Sequence, residues 1–125
     1  MNEDELASVI IKAAYKVRKN VGVGILESAY EKCLVSELNA QGLDVQKQEP
    51  EPLVYEGSVI DAPYRSDLVI NEKVIVELKT VAEIQPVHIA QLLTYLRIKG
   101  YRLGLIINFN SFDLKKGIRR VVNNL

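Results

Sequence analysis

Three charged residues interrupt two otherwise apolar stretches of the sequence. Asp67 directly precedes the apolar triplet 68–70, and Glu77 and Lys79 lie within the β-prone segment 74–81. Successive side chains of a strand point to opposite faces, so Glu77 and Lys79, two residues apart, share a face. Two acids beside a lysine could hold a divalent cation. Taken alone, the Glu-x-Lys triplet also fits a solvated strand face on which acids and bases alternate.

The position of Asp67 relative to Glu77 depends on the length of the turn between their strands. A three-residue turn at 71–73 makes Ile70 face Val74 and, counting back, makes Asp67 face Glu77. Like charges directly opposite each other destabilise a strand pair, and a divalent cation between them would remove this repulsion. A two-residue turn would instead put the two acids on opposite faces.

A third acid, Glu27, lies on the apolar side of a predicted helix. At about 100° per residue, Glu27 falls about 20° from Leu34, while Tyr30 and Leu38 lie about 40° to either side of Leu34. A charge that faces a core is costly unless it is paired or metal-bound, which makes Glu27 a candidate ligand. The alternative is a carboxylate near a helix N-terminus that gains from the macrodipole and leans out to water.

A polar stripe follows on a later helix. His88, Gln91 and Tyr95 have the spacing i, i+3, i+7 and share a helix face. They could support a site as accessory residues. A structural role is the alternative, because a Gln and a Tyr can satisfy each other's hydrogen bonds.

Three helices are predicted around these residues. The first opens with a capping box at Asn2 and Glu5 and breaks at the glycine-containing segment 20–24. The second runs from about Leu26 to Gln41, and the third from Pro86, which suits the first turn of a helix, to Lys99.

Strand character fills the remaining chain. Short β-prone pieces lie between Val45 and Ile60, a hairpin runs from Tyr64 to Val81, and the segment 103–107 is predicted to be a fully buried central strand. The tail from Ser111 to Leu125 fits either a helix or a turn followed by a strand. The order of elements predicts an α/β fold, with a central mixed sheet flanked by helices.

Composition is typical of one compact domain over residues 1–125, with 48% hydrophobic and 26% charged residues. No apolar run approaches the ~18 residues of a membrane span, so no membrane partner is expected. The net charge of zero argues against a passive nucleic-acid coat protein, which is normally basic. Cys33 is the single cysteine, so no internal disulfide is expected and a cytoplasmic location is predicted.

The motifs and their order resemble a known family. Residues 24–30, Gly-Ile-Leu-Glu-Ser-Ala-Tyr, are similar to the Gly-x-x-Glu-x-x-Tyr motif of the GxxExxY proteins, which are placed in the PD-(D/E)XK nuclease superfamily. Asp67 followed by 77–79 resembles the central motif of that superfamily. Residues 91–95 are similar to the Gln-x-x-x-Tyr motif of its RecB-like members. The resemblance extends from Asn2 to about Phe109, with one departure: Ser, not Pro, precedes the motif Asp.

This resemblance implies a restriction-endonuclease-like fold with an αβββαβ core and a metal-dependent nuclease acting on DNA or RNA, with DNA the first expectation. Asp67, Glu77 and the backbone carbonyl of Leu78 would bind Mg²⁺, for which Mn²⁺ would substitute, and the ion would activate a bound water. Lys79 would position that water and offset charge on the attacked phosphate. Glu27 would reach the metal through water or bind a second ion.

By the same resemblance, Gln91 and Tyr95 would orient the lysine or contact a backbone phosphate, with Tyr30 and His88 as accessory residues. A rival hypothesis from another class is a binding or scaffold protein that keeps the fold with an idle site. A further alternative is a nuclease that needs a protein partner or a homo-oligomer to form its groove. Basic residues at 115, 116, 119 and 120 would contact phosphate or, alternatively, form a solvated surface run.

Overall fold

The chain folds into a five-stranded mixed sheet with helices on both faces, as the sequence predicts. A computed structural model describes residues 1–47, 51–64 and 68–125. The elements in chain order are α1 (Glu3–Val21), α2 (Glu27–Ala40), β1 (Val45–Lys47), β2 (Glu51–Tyr55), β3 (Ser58–Tyr64), β4 (Leu68–Ile70), β5 (Val74–Lys79), α3 (Pro86–Lys99), β6 (Leu103–Asn108), a 3₁₀ turn (Leu114–Gly117) and β7 (Ile118–Val122).

The main sheet has the order β1-β4-β5-β6-β7, and β2 pairs with β3 in a separate antiparallel ribbon. β5 and β6 are parallel and are joined by α3, whereas the other neighbours in the main sheet are antiparallel. The tail, which the sequence left open, forms the 3₁₀ turn and β7. It therefore adds an edge strand rather than a helix.

The capping box at the start of α1 is confirmed. The Glu5 amide donates to the side-chain oxygen of Asn2 at 2.8 Å, and the Asn2 amide donates to the Glu5 carboxylate at 3.0 Å. These bonds satisfy two backbone donors that a helix N-terminus leaves without intrahelical partners. The predicted apolar side of α1 is buried at Leu6, Ile10 and Val17.

The two faces of the sheet carry different layers. α1 and α2 cover one face, where they pack on Val74, Val76 and Leu78 of β5. α3 covers the other face through a smaller cluster; we call this the α3 face, and its buried sheet residues are Val69, Ile75, Ile106 and Val121. Odd-numbered residues of β5 therefore point to the α3 face and even-numbered residues to the larger core.

The turn between β4 and β5 holds three residues, as the charge pattern requires. Ile70 pairs with Val74, and the Lys73 amide donates to the Ile70 carbonyl at 3.0 Å. Asn71 and Glu72 have φ values of 51° and 53°, in the left-handed region that Asn tolerates well. The Asn71 side chain also accepts a hydrogen bond from the Asp44 amide, which ties the turn to the chain before β1.

Some predicted boundaries differ from the structure. The hairpin was expected to begin at Tyr64, which instead ends β3, while β4 is described only from Leu68. β5 ends at Lys79 rather than at Val81, because side-chain bonds to Val81 replace strand pairing there. No helix in the described part of the chain is long and apolar enough to cross a membrane.

Candidate active site

Glu77 is a buried carboxylate in the interior of the sheet. Glu77 is 4% exposed, and Ile106 is its neighbour on the parallel strand β6. Among the described residues it is the one charged residue buried to this degree. Strand alternation places its side chain on the α3 face. Burial of a carboxylate is costly unless other groups compensate its charge, so an acid at this position of an apolar strand is a candidate site residue.

Lys79 lies on the same face as Glu77, at the carboxyl end of β5. Its side chain is half-exposed, and Asn108 is its partner on β6. Its backbone carbonyl accepts a hydrogen bond from the Phe109 amide at 2.9 Å. The strand therefore offers a buried acid followed by a solvent-accessible ammonium group at one edge of the sheet.

Asn108 is a buried polar residue that the sequence analysis did not single out. It is 2% exposed, and its side-chain oxygen accepts from the amides of Val81 at 3.1 Å and Asn110 at 3.2 Å. Its side-chain nitrogen donates to the Val81 carbonyl at 2.9 Å. These bonds fix the chain two residues after Lys79. The sequence feature that could have indicated Asn108 is a single polar residue at the end of an otherwise apolar strand.

The start of α2 reaches the same edge of the sheet through aromatic packing. The Tyr30 ring stacks on Phe109, with centroids 4.4 Å apart and planes 8° apart, and its hydroxyl donates to the Gly22 carbonyl. Since Phe109 binds the carbonyl of Lys79, the first turn of α2 and the end of β5 are neighbours. Tyr30 is fully buried and connects the two elements.

Glu27 begins α2, one turn before this tyrosine, and is half-buried. Tyr30, Leu34 and Leu38, with which it was predicted to share a helix side, are all buried. Glu27 comes from the helical layer that covers the larger core, whereas Glu77 lies on the α3 face. The structure thus brings Glu27 to the edge where Lys79 ends β5, from the opposite helical layer.

The three residues of the predicted polar stripe on α3 have different environments. His88 is half-buried, and its Nδ1 accepts from the Gln85 amide at 2.9 Å, which caps the helix. Gln91 is exposed to solvent. Tyr95 is 1% exposed and packs in the α3-face core with Leu92; its hydroxyl has no hydrogen-bond partner in the described part of the chain.

Asp67 lies outside the described residues. The described register nearest to it pairs Leu68 with Val76. Among the side chains that the structure describes, those of 1–47, 54–59 and 68–125, no three His, Cys, Asp or Glu form a group that could hold a metal ion. The donors that the described chain contributes at this edge, the carboxylates of Glu77 and Glu27 and the Leu78 carbonyl, are hard oxygen ligands. They fit Mg²⁺ in type, since Mg²⁺ is usually held by one or two carboxylates together with waters and substrate phosphate.

Comparison with known proteins adds the family. No curated protein and no solved structure matches the chain. A sequence model of the PD-(D/E)XK nuclease superfamily matches residues 4–121, a span that includes all three helices and the main sheet except for the first residue of α1 and the last residue of β7. The chain therefore belongs to the PD-(D/E)XK nuclease superfamily.

Proposed function

We propose that this protein is a metal-dependent nuclease that hydrolyses phosphodiester bonds of DNA, using Glu27, Asp67, Glu77 and Lys79. The proposal depends on one observation. Glu77, which is 4% exposed, and Lys79 lie on the same face of β5, at the carboxyl end of the strand. Membership of a nuclease superfamily implies a nucleic-acid substrate. The Gly-x-x-Glu-x-x-Tyr heptapeptide at 24–30 further supports assignment to the GxxExxY proteins.

The acids would form the metal site. The β4–β5 register pairs Leu68 with Val76, and continuing the count by one residue would set Asp67 opposite Glu77. These two carboxylates and the Leu78 carbonyl would hold Mg²⁺, or Mn²⁺ in its place, with Glu27 reaching the same ion or a second one. When bound, such an ion polarises a phosphoryl oxygen and makes water a usable nucleophile near neutral pH.

The other side chains would act on the substrate and the attacking water. The Lys79 ammonium, on the same face as Glu77, would orient the water and neutralise charge that develops on the attacked phosphate. The water oxygen would bond to phosphorus as the ester P–O bond breaks, and the leaving oxygen would take up a proton. Gln91, exposed on α3, would contact a neighbouring backbone phosphate.

The test is a cleavage assay with Mg²⁺ and with Mn²⁺ on single- and double-stranded DNA and RNA. We expect cleavage by the wild type and loss of cleavage in Lys79→Ala and Asp67→Asn with folding retained. Lys73→Ala is the matched control, because Lys73 directly precedes β5 at the opposite end of the strand. Unchanged activity in Lys79→Ala would reveal a contaminating nuclease.

One observation favours a second function, a nuclease-fold scaffold with an idle site. The chain has 16 basic and 16 acidic residues and so lacks the positive excess typical of independent nucleic-acid binding. A wild type that is inert on all four substrates would favour this scaffold, or a nuclease that needs a protein partner or a second copy to form its groove. Cys33 as the single cysteine supports a cytoplasmic location for either function.

A further inference from the structure

The two adjacent arginines of β7 have different surroundings. Arg120 pairs with Leu105, on the face covered by α1, and forms an ion pair with Asp4 of that helix. Arg119 pairs with Ile106, so strand alternation places it on the α3 face. The four basic residues of the run 115–120 are all exposed, but the pleat of the strand directs its two arginines to opposite faces of the sheet.

Arg119 lies in one row with Glu77. Glu77 of β5 pairs with Ile106 of β6, which pairs with Arg119 of β7, and all three face the same way. Two strand spacings separate the acid from the arginine, a backbone distance of about 10 Å. At a rise of about 3.4 Å per nucleotide of a strand, this distance corresponds to about three nucleotides.

An open cavity of about 510 Å³ lies beside this row. Its lining includes Asn108, the partner of Lys79, together with Lys116, Gly117 and Arg119. Among the described residues that line it, Glu83 is the one acid. The cavity therefore has two cationic side chains on one side and, on the other, the segment 82–84 that follows β5.

The backbone around the cavity is closely packed. A Cβ on Gly117 would lie 2.7 Å from the Asn108 carbonyl oxygen and 2.6 Å from the Ser111 Cβ. Arg119 is oriented by hydrogen bonds from its Nη1 to the carbonyls of Lys116 at 2.8 Å and Ile118 at 3.2 Å. Both bonds use one nitrogen of a guanidinium that has five N–H donors.

We infer that Lys116 and Arg119 form a subsite for a backbone phosphate of the nucleic-acid strand, within about three nucleotides of the bond that is cut. This inference rests on the proposed function for its position on the strand. Within the described residues, neither cation forms an ion pair with an acid, in contrast to Arg120. A guanidinium with a nearby ammonium suits a phosphate group, because charge-assisted bonds to phosphate are about twice as strong as neutral ones.

The test compares two double variants of equal charge. Lys116→Ala/Arg119→Ala removes the proposed subsite, and Lys115→Ala/Arg120→Ala removes two cations from the same run. Binding of a fluorescein-labelled DNA strand, alone and as a duplex, is measured by anisotropy in EDTA at several salt concentrations. No catalysis is needed, so the result is separate from the outcome of the cleavage assay.

We expect the subsite variant to bind DNA about tenfold more weakly than the wild type. Its plot of log affinity against log salt should be shallower by about one unit, because one phosphate contact is lost. The control variant should differ from the wild type by less than about twofold. Equal weakening of both variants would overturn the inference, because net charge alone would explain it, and so would a wild type that binds no DNA.

Inorganic phosphate distinguishes the source of the phosphate group. Phosphate at millimolar concentration, compared with chloride at equal ionic strength, should displace DNA only weakly, since a single phosphate lacks the contacts along the strand. Displacement at micromolar phosphate would show a site for the free anion and would overturn the assignment to a strand. A subsite effect on binding in a protein that cleaves nothing would support the subsite and would count only against cleavage by this chain alone.

Discussion

Replacing Asn108 by alanine should destabilise the protein by about 2 kcal/mol. The side chain makes three hydrogen bonds, two of them to the amide and carbonyl of Val81 at 3.1 and 2.9 Å. Val81 is half-buried, so water can replace the lost partner only in part. The loss of each of these two bonds should therefore lower the free energy of unfolding by about 1 kcal/mol. The third bond is to the exposed Asn110, whose amide water can satisfy. At about 4 °C per kcal/mol, the melting temperature should fall by about 8 °C.

Urea unfolding at 25 °C measures the free energy of unfolding, with an unchanged m-value expected. Asn123→Ala is the matched control, because this half-buried asparagine has one side-chain bond, to the Tyr101 carbonyl at 3.0 Å, and should lose about 1 kcal/mol or less. Hydrogen exchange adds a local measurement, in which the Val81 amide should exchange faster in Asn108→Ala. Equal losses in the two variants, with unchanged exchange at Val81, would refute the role given to Asn108.

Two further predictions concern the metal site and the packing of α3. If Glu27, Asp67 and Glu77 share the proposed metal site, neutralising one acid relieves repulsion, so Asp67→Asn and Glu27→Gln should melt no lower than the wild type without metal. Mn²⁺ at a hundredfold excess over Kd should stabilise the wild type by about 2.7 kcal/mol and so raise its melting temperature, and it should barely move that of Asp67→Asn. Equal melting of all proteins with and without millimolar Mn²⁺ would contradict a shared metal pocket. Gly104→Ala should cost about 1–3 kcal/mol, because its Cβ would lie 2.8 Å from Cδ2 of Leu92. A double-mutant cycle with Leu92→Ala should show favourable coupling, and strict additivity would contradict the predicted clash.

Local features of the chain were predictable from the sequence because the forces behind them act over a few residues. The capping box at Asn2 follows from the chemistry of two side chains, and the turn at 71–73 has the longer of the two lengths that the sequence left open. The turn length in turn set the strand register, which pairs Ile70 with Val74. A one-residue slip would move every apolar residue of the strand to the other face.

Features that depend on distant parts of the chain were not predictable. Asn108, at the end of β6, and Val81, two residues after β5, are 27 residues apart, and nothing local indicates that the two are hydrogen-bonded to each other. The polarity of Tyr95 suggested a polar helix stripe, but the tertiary packing of α3 buries this residue at 1% exposure. Which of the basic residues after 114 faces the site depends on the pairing of β7 with β6, which no periodicity in the tail indicated.

The candidate site was predicted in part for the same reason. That Glu77 and Lys79 share a face follows from two-residue spacing alone, and the structure has both on one strand. The position of Glu27 at the edge of the sheet depends on the stacking of Tyr30 against Phe109, residues that are 79 positions apart in the chain. Helical periodicity could place Glu27 on a side of its helix but could not say which end of which strand it approaches.

Strand alternation separates the even-numbered apolar residues of β5 from its two charged residues. Val74, Val76 and Leu78 point into the core formed with α1 and α2, which contains most of the buried apolar residues. Glu77 and Lys79 point to the α3 face, where the apolar cluster is smaller and a cavity adjoins the end of the strand. An acid in the larger core would weaken the packing of two helices, α1 and α2. On the α3 face it can weaken the packing of α3 alone.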